Sequence, residues 1–137
     1  ITASLMAATV ADIGLFKSGR QFAAWLGLVP RQYSTGGKTR LGRITKAGNR
    51  RARRILVEAA WSYRHPPRVG RDKQRLVEAA PRPVAEIAWK AQTRLSARFR
   101  ALSRKGKRPT SVATAIAREM GGFIWAINRA IADARRV

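Results

Sequence analysis

Between Asp12 and Glu58 the chain carries no acidic residue, while Lys17, Arg20, Arg31, Lys38, Arg40, Arg43, Lys46, Arg50, Arg51, Arg53 and Arg54 all fall in that stretch. This separation of sign constrains the chain more than any other feature. Like charges repel, and a compact state that gathers them is destabilised unless a polyanion neutralises them. The whole chain repeats the imbalance, with 29 Lys and Arg against 7 Asp and Glu in 137 residues, a formal charge of +22. An ordinary solvated surface mixes both signs, so the partner implied is a nucleic acid or an anionic membrane. A hydrophobic fraction of 45% supports a folded core rather than disorder. The length fits a single domain over 1–137.

Several chemistries are excluded at once. There is no Cys, hence no disulfide framework and no thiolate metal site, and His65 is the single histidine. No apolar run approaches the ~20 residues that span a bilayer. Ile1–Val10 is apolar but lacks the basic start of a signal peptide, and Ile1–Ala11 reads as a helix. The chain does not open on Met, which suggests a fragment or a truncated reading frame.

Along the chain the pattern is mainly helical. Ser18 reads as the N-cap of a short helix Gly19–Leu26 with Phe22, Ala23 and Leu26 on one side, stopped by Gly27 and Pro30. Arg31–Thr45 changes character: Gly36, Gly37 and Gly42 sit among polar and basic residues, giving a small hairpin or a loop ordered on a ligand. Asn49 reads as the N-cap of a helix from Arg50 to Tyr63, with Ala52, Ile55, Leu56, Ala59 and Tyr63 as its apolar stripe. Arg50, Arg51, Arg53 and Arg54 crowd its first turns, against the helix dipole, at a cost of up to about 1 kcal/mol each. Charge placed against local preference suggests binding. His65-Pro66-Pro67 breaks the helix, and Arg71–Ala80 is short and ambiguous. Pro81-Arg82-Pro83 opens a helix to about Ser103 with a stripe through Val84, Ile87, Ala88, Ala91, Leu95, Phe99 and Leu102. A basic turn, Lys105–Arg108, precedes a last helix striped by Val112, Ile116, Met120, Phe123, Ile127 and Ile131. The four Trp (Trp25, Trp61, Trp89, Trp125) fall within helical stretches and read as core.

Familiar catalytic sets are missing. No two acids stand three or four residues apart, and each reads as a cap or ion-pair partner. Gly37-Lys38-Thr39 echoes the end of a phosphate-binding loop, but the first glycine of that pattern falls on Gln32. What remains is Tyr33-Ser34-Thr35-Gly36-Gly37-Lys38-Thr39-Arg40. Its glycines allow close approach of a phosphate, and Lys38, Arg40 and Arg43 suit a phosphodiester and the charge that builds on it. A hydroxyl needs activation, and the neighbours supply cations rather than a base. On chemistry alone Ser34 and Thr35 therefore read more readily as phosphate-binding turn residues than as nucleophiles.

Order and spacing add a second argument. Phe16–Pro30, Tyr33–Lys38, Leu41–Asn49, Arg53–Ala60, Ile87–Gln92 and Ala115–Glu119 together resemble the C-terminal transposase domain of the insertion sequence 110 family (with 116 and 902) over nearly the whole chain. The resemblance implies a compact, mainly α domain in three parts: a partial helix-hairpin-helix element in 1–30, a basic catalytic loop in 31–49 and helices in 50–137. It implies a mobile-element DNA recombinase whose serine attacks DNA, guided by a structured RNA, working as a homo-oligomer in the bacterial cytoplasm at the nucleoid. By motif the nucleophile is Ser34, with Thr35 as the neighbouring alternative. Gly36, Gly37 and Lys38 would shape the loop, and Arg31, Arg40, Arg43, Lys46, Asn49, Arg50 and Arg53 would contact nucleic acid. Family members also carry a RuvC-like domain whose acidic residues bind a divalent metal, Mg. The 137 residues contain no such acidic set. The chain alone is thus expected to bind nucleic acid without recombining it, pairing with a RuvC-like domain in cis or in trans.

Two other functions compete. One is a non-catalytic basic module that packages DNA or RNA. The other is a membrane-surface binder, disfavoured because the Arg50–Tyr63 stripe is made mostly of small residues. Both nucleic-acid readings require steep salt dependence, a ~10³-fold loss of affinity between about 50 and 200 mM salt for some six phosphate contacts.

Overall fold

The computed structural model describes residues 15–35, 38–44, 46 and 48–135, with backbone alone for 30–43 and 135. The fold is mainly α, with five helices among the described residues: α1 (Gly19–Trp25), α2 (Arg50–Ala60), α3 (Arg71–Ala79), α4 (Arg82–Arg104) and α5 (Pro109–Arg135). A 3-10 turn, Trp61–Arg64, follows α2. Between α1 and α2 the backbone forms an antiparallel pair, β1 (Pro30–Thr35) and β2 (Lys38–Ile44). The proposed helix-hairpin-helix half rests on Ile1–Asp12, which lie outside the described residues.

Helix α5 organises the core. Its Val112, Ala113, Ile116, Ala117 and Met120 are buried together with Phe22 of α1 and Leu26 just after it, Ala52 and Leu56 of α2, and Ala91, Leu95, Phe99 and Leu102 of α4. Small residues let α1 approach closely: a Cβ on Gly19 would come within 3.1 Å of the Gly122 Cα. Phe16, Phe22 and Trp25 form an aromatic cluster at this crossing, with ring centroids 5.2 to 6.1 Å apart. Trp125 Nε1 donates to the Phe16 carbonyl at 2.8 Å and ties the cluster to α5.

Ser18 caps α1, its hydroxyl accepting from Gln21 N, and the helix ends one residue before the expected Leu26. Gly27, at φ +71°, reverses the chain in the left-handed region that glycine tolerates best. Helix α2 is shorter than Arg50–Tyr63. The two prolines force the preceding residue out of the helical region, and His65 is extended at φ −89°, ψ 154°, so the last turn tightens to 3-10. Ser96 Oγ donates to the His65 carbonyl at 3.0 Å and is buried for that reason. The ambiguous segment after the prolines is helical as α3, and every residue of it is exposed. One further correction concerns Trp89, which is 49% exposed, because its position lies away from the Ala91–Leu95–Phe99 side that meets α5.

Candidate nucleic-acid interface

The basic stretch is organised around a clasp at the root of the β pair. Chain leaving α1 and chain entering α2 are joined by two backbone hydrogen bonds, Lys46 N to Gly27 O at 3.1 Å and Asn49 N to Trp25 O at 2.9 Å. Gly48 lies so close to α1 that a Cβ there would overlap the Trp25 carbonyl. Ile44, at the end of β2, is half-buried against the core. The pair is thus rooted in the helical body at one end, with Thr35 and Lys38 at the other.

The register places the candidate hydroxyls. Ser34 lies opposite Thr39, Thr35 opposite Lys38, Tyr33 opposite Arg40 and Gln32 opposite Leu41, with an irregularity between Pro30 and Gln32. Opposed residues of an antiparallel pair share a face, and faces alternate along a strand. Lys38 and Arg40 therefore share a face with Thr35 and Tyr33, while Ser34 shares one with Gln32, Thr39 and Leu41. Gly36 and Gly37 lie outside the described residues. Arg31 and Arg43 belong to β1 and β2.

Two predicted contact residues have structural partners. Asn49 Oδ1 accepts from Ala52 N at 2.9 Å and caps α2. Arg53 Nη1 donates to the Leu26 carbonyl at 3.2 Å, placing a cation at the C-terminal end of α1, where the dipole favours it. Sequence reasoning missed this second role, because nothing local to Arg53 points to a carbonyl 27 residues away. Arg50 and Arg51 are exposed, and the first turn of α2 has no acid. Lys46 is exposed with φ +55°, an uncommon conformation for a residue with a Cβ, held here by its bond to Gly27 O. Arg54 pairs with Glu58 at 3.2 Å.

Acids elsewhere are mostly engaged: Glu86 with Arg82 at 3.1 Å, Asp133 with Arg129 at 3.9 Å, and Glu119 with Arg94 and Arg98 at 3.1 and 3.0 Å. The Arg98 contact lacks hydrogen-bond alignment and acts as a charge contact. Among the described residues no three His, Asp or Glu converge on a possible metal position. The resemblance places the divalent metal on the acidic residues of a RuvC-like domain, not on the residues described here. Among the described residues no helix is long and apolar enough to cross a membrane.

The fold and clasp define a class: a strongly basic helical domain that projects a β pair, bearing hydroxyls and cations, from between two helices. Residues 1–74 match the family described as Transposase IS116/IS110/IS902. A putative transposase, y4qE, of Sinorhizobium fredii is 55% identical over 129 residues, covering 94% of this chain and 33% of the relative. A probable family 20 transposase of Pseudomonas aeruginosa is 57% identical over 60 residues (44% of this chain, 18% of the relative). The Yersinia enterocolitica transposase for insertion sequence element IS1328 is 52% identical over 63 residues (46% and 19%). No solved structure matches. The chain belongs to the IS116/IS110/IS902 transposase family and spans about a third of the length of the Sinorhizobium fredii relative y4qE.

Proposed function

We propose that this chain is the DNA-contacting portion of an insertion-sequence transposase and that Ser34 is its nucleophile. In the proposed step the Ser34 Oγ–phosphorus bond forms and the bond from phosphorus to a deoxyribose oxygen breaks, giving a phosphoserine diester and a free DNA hydroxyl. The serine proton passes through solvent to the departing oxygen. The cations of the β pair and of the α2 N-terminal turns hold the phosphate and oppose the charge growing on it. The observation that carries this reading is the clasp. A hydroxyl-bearing β pair is fixed by backbone bonds to the body, beside exposed Lys46, Arg50 and Arg51. A guide RNA, a homo-oligomer, a Mg-binding RuvC-like domain in cis or in trans and a place at the bacterial nucleoid complete the proposal. The chain alone binds nucleic acid and does not exchange strands.

The test is trapping of the protein–DNA adduct in a full-length active relative carrying the equivalent of Ser34→Ala. Loss of the adduct with binding retained supports Ser34. An adduct that persists in Ser34→Ala and vanishes in Thr35→Ala moves the nucleophile by one residue, to the face that the register shares with Lys38. Persistence in both variants overturns the covalent role. A second reading, phosphate binding without attack, draws on the sequence around Ser34, which supplies cations rather than a base, and it requires Ser34→Gly or Ser34→Asn to leave every activity intact.

A further inference from the structure

A second acid-free stretch runs from Glu86 to Glu119 and holds nine cations, among them Lys90, Arg100, Arg104, Lys105, Lys107 and Arg108. These six are all exposed, and none has an ion-pair partner among the described residues. They occupy the outward face of α4 and the elbow joining it to α5. Three cations elsewhere on the helices pair with an acid four residues on: Arg54 with Glu58, Arg82 with Glu86 and Arg129 with Asp133. Here the bounding acids are already engaged, Glu86 by Arg82 and Glu119 by Arg94 and Arg98.

The shape of the face narrows the partner. Ala97 and Ala101 are exposed between Lys90 and Arg104, and Gly106 lies in the elbow, so the surface is low; Trp89, 49% exposed beside Lys90, is the single bulky apolar side chain on it, short of the row of such residues that a membrane-surface helix inserts. From Lys90 to Arg104 the helix rises about 21 Å. A duplex presents a charge every ~1.7 Å of axis, roughly 12 over that length, enough to engage all six cations. The elbow also stands apart from the clasp: α1 meets α5 around Gly121 and Gly122, about 18 Å along the helix from Pro109.

We propose that the α4–α5 elbow is a second binding surface for a double-helical phosphodiester backbone, separate from the clasp and its β pair. It does not depend on Ser34, and failure to form the covalent adduct leaves it untouched.

The test measures the salt dependence of the whole chain's binding to a 30-bp DNA duplex and, in a parallel arm, to a 30-bp RNA duplex. The elbow variant carries Arg100→Gln, Arg104→Gln, Lys105→Gln, Lys107→Gln and Arg108→Gln. A charge-matched control carries Arg64→Gln, Arg68→Gln, Arg71→Gln, Lys73→Gln and Arg75→Gln, exposed positions around α3. With ~0.9 counterion released per phosphate contact, losing three or more contacts lowers the slope of log K against log salt by about 3. Affinity near 0.15 M salt should then fall roughly 10²-fold. The control should shift the slope by less than about 1. A loss confined to one arm supports the proposal and identifies the duplex as DNA or RNA, and a loss in both arms supports shared backbone recognition. An unchanged elbow slope in both arms, or an equal loss in the control, overturns it. Should the fivefold variant fail to fold, the triple variant Arg104→Gln, Lys105→Gln, Lys107→Gln is held to the same comparison with a triple control, Arg71→Gln, Lys73→Gln, Arg75→Gln.

Discussion

Gly48→Ala isolates the clasp. The added methyl would overlap the Trp25 carbonyl and approach Gly27 N within 2.8 Å, and both neighbours are backbone, so neither can rotate aside. The segment entering α2 must retreat, and three hydrogen bonds lie in its path: Asn49 N to Trp25 O (2.9 Å), Lys46 N to Gly27 O (3.1 Å) and Arg53 Nη1 to Leu26 O (3.2 Å). At about 0.5–1.5 kcal/mol each, their loss costs roughly 1.5–4.5 kcal/mol. Alanine's stiffer unfolded chain offsets ~0.4–1 kcal/mol of that. A net loss near 2 kcal/mol corresponds, for a domain of this size, to a fall in Tm of roughly 6–12 °C. Gly122→Ala is the internal control. It lies inside α5 with nothing within 4 Å of its added Cβ, and removing a helical glycine should stabilise by ~0.5–1 kcal/mol. Thermal unfolding followed by far-ultraviolet circular dichroism reads both. A Gly48→Ala midpoint within about 2 °C of the parent would show that the two segments are not held together as described.

Other outcomes follow from the same contacts. Asn49→Ala should lose ~0.5–2 kcal/mol in urea unfolding, and Asn49→Ser should recover most of it, because a hydroxyl can accept from Ala52 N. Glu119→Gln removes the charge shared by Arg94 and Arg98. Both arginines are more than a third exposed, so screening limits the loss to about 1 kcal/mol, measured in low salt and smaller in high salt. Burial raises the Tyr63 pKa above its ordinary 10.0, favouring the neutral phenol in the folded state. Its contribution is complete below pH 10 and is lost as pH rises through the folded value, so Tyr63→Phe should flatten the alkaline decline of Tm above pH 10 relative to the parent.

Much of the helical body was legible because apolar spacing and caps are local signals. Ser18, Asn49 and the Pro81–Pro83 start each act within one turn of the helix they begin. The misses come from forces that the local pattern omits. Ser96 is polar and sits off the expected stripe, yet it is buried because the carbonyl freed by the Pro66–Pro67 break needs a donor. Trp89 reads as core by residue type, although its side of α4 meets no other helix. At the candidate site, glycines and hydroxyls marked the β pair, whereas the clasp depends on backbone groups far apart in sequence, and backbone groups carry no sequence signature.

The cations divide by what surrounds them, and that division ties stability to the partner. Arg53 satisfies a carbonyl of α1, and Arg94 and Arg98 hold Glu119, so these three act within the fold. Arg50, Arg51 and the six on α4 and at the elbow have no ion-pair partner among the described residues, and Glu58, Glu86 and Glu119, which bound their stretches, are engaged by other arginines. Their mutual repulsion falls on the folded state, where they are held close, more than on the expanded chain. A polyanion that binds only the folded chain removes that repulsion and adds about 2.7 kcal/mol of stability at a hundredfold excess over Kd. The core that opposes the repulsion is modest, and α5 serves as a common wall for α1, α2 and α4, with Val112, Ile116 and Ala117 fully buried at their junction. Concentrating the apolar contacts on one long helix leaves the outward faces of α2 and α4 available for charge, so the same layout that completes the core arrays the exposed cations.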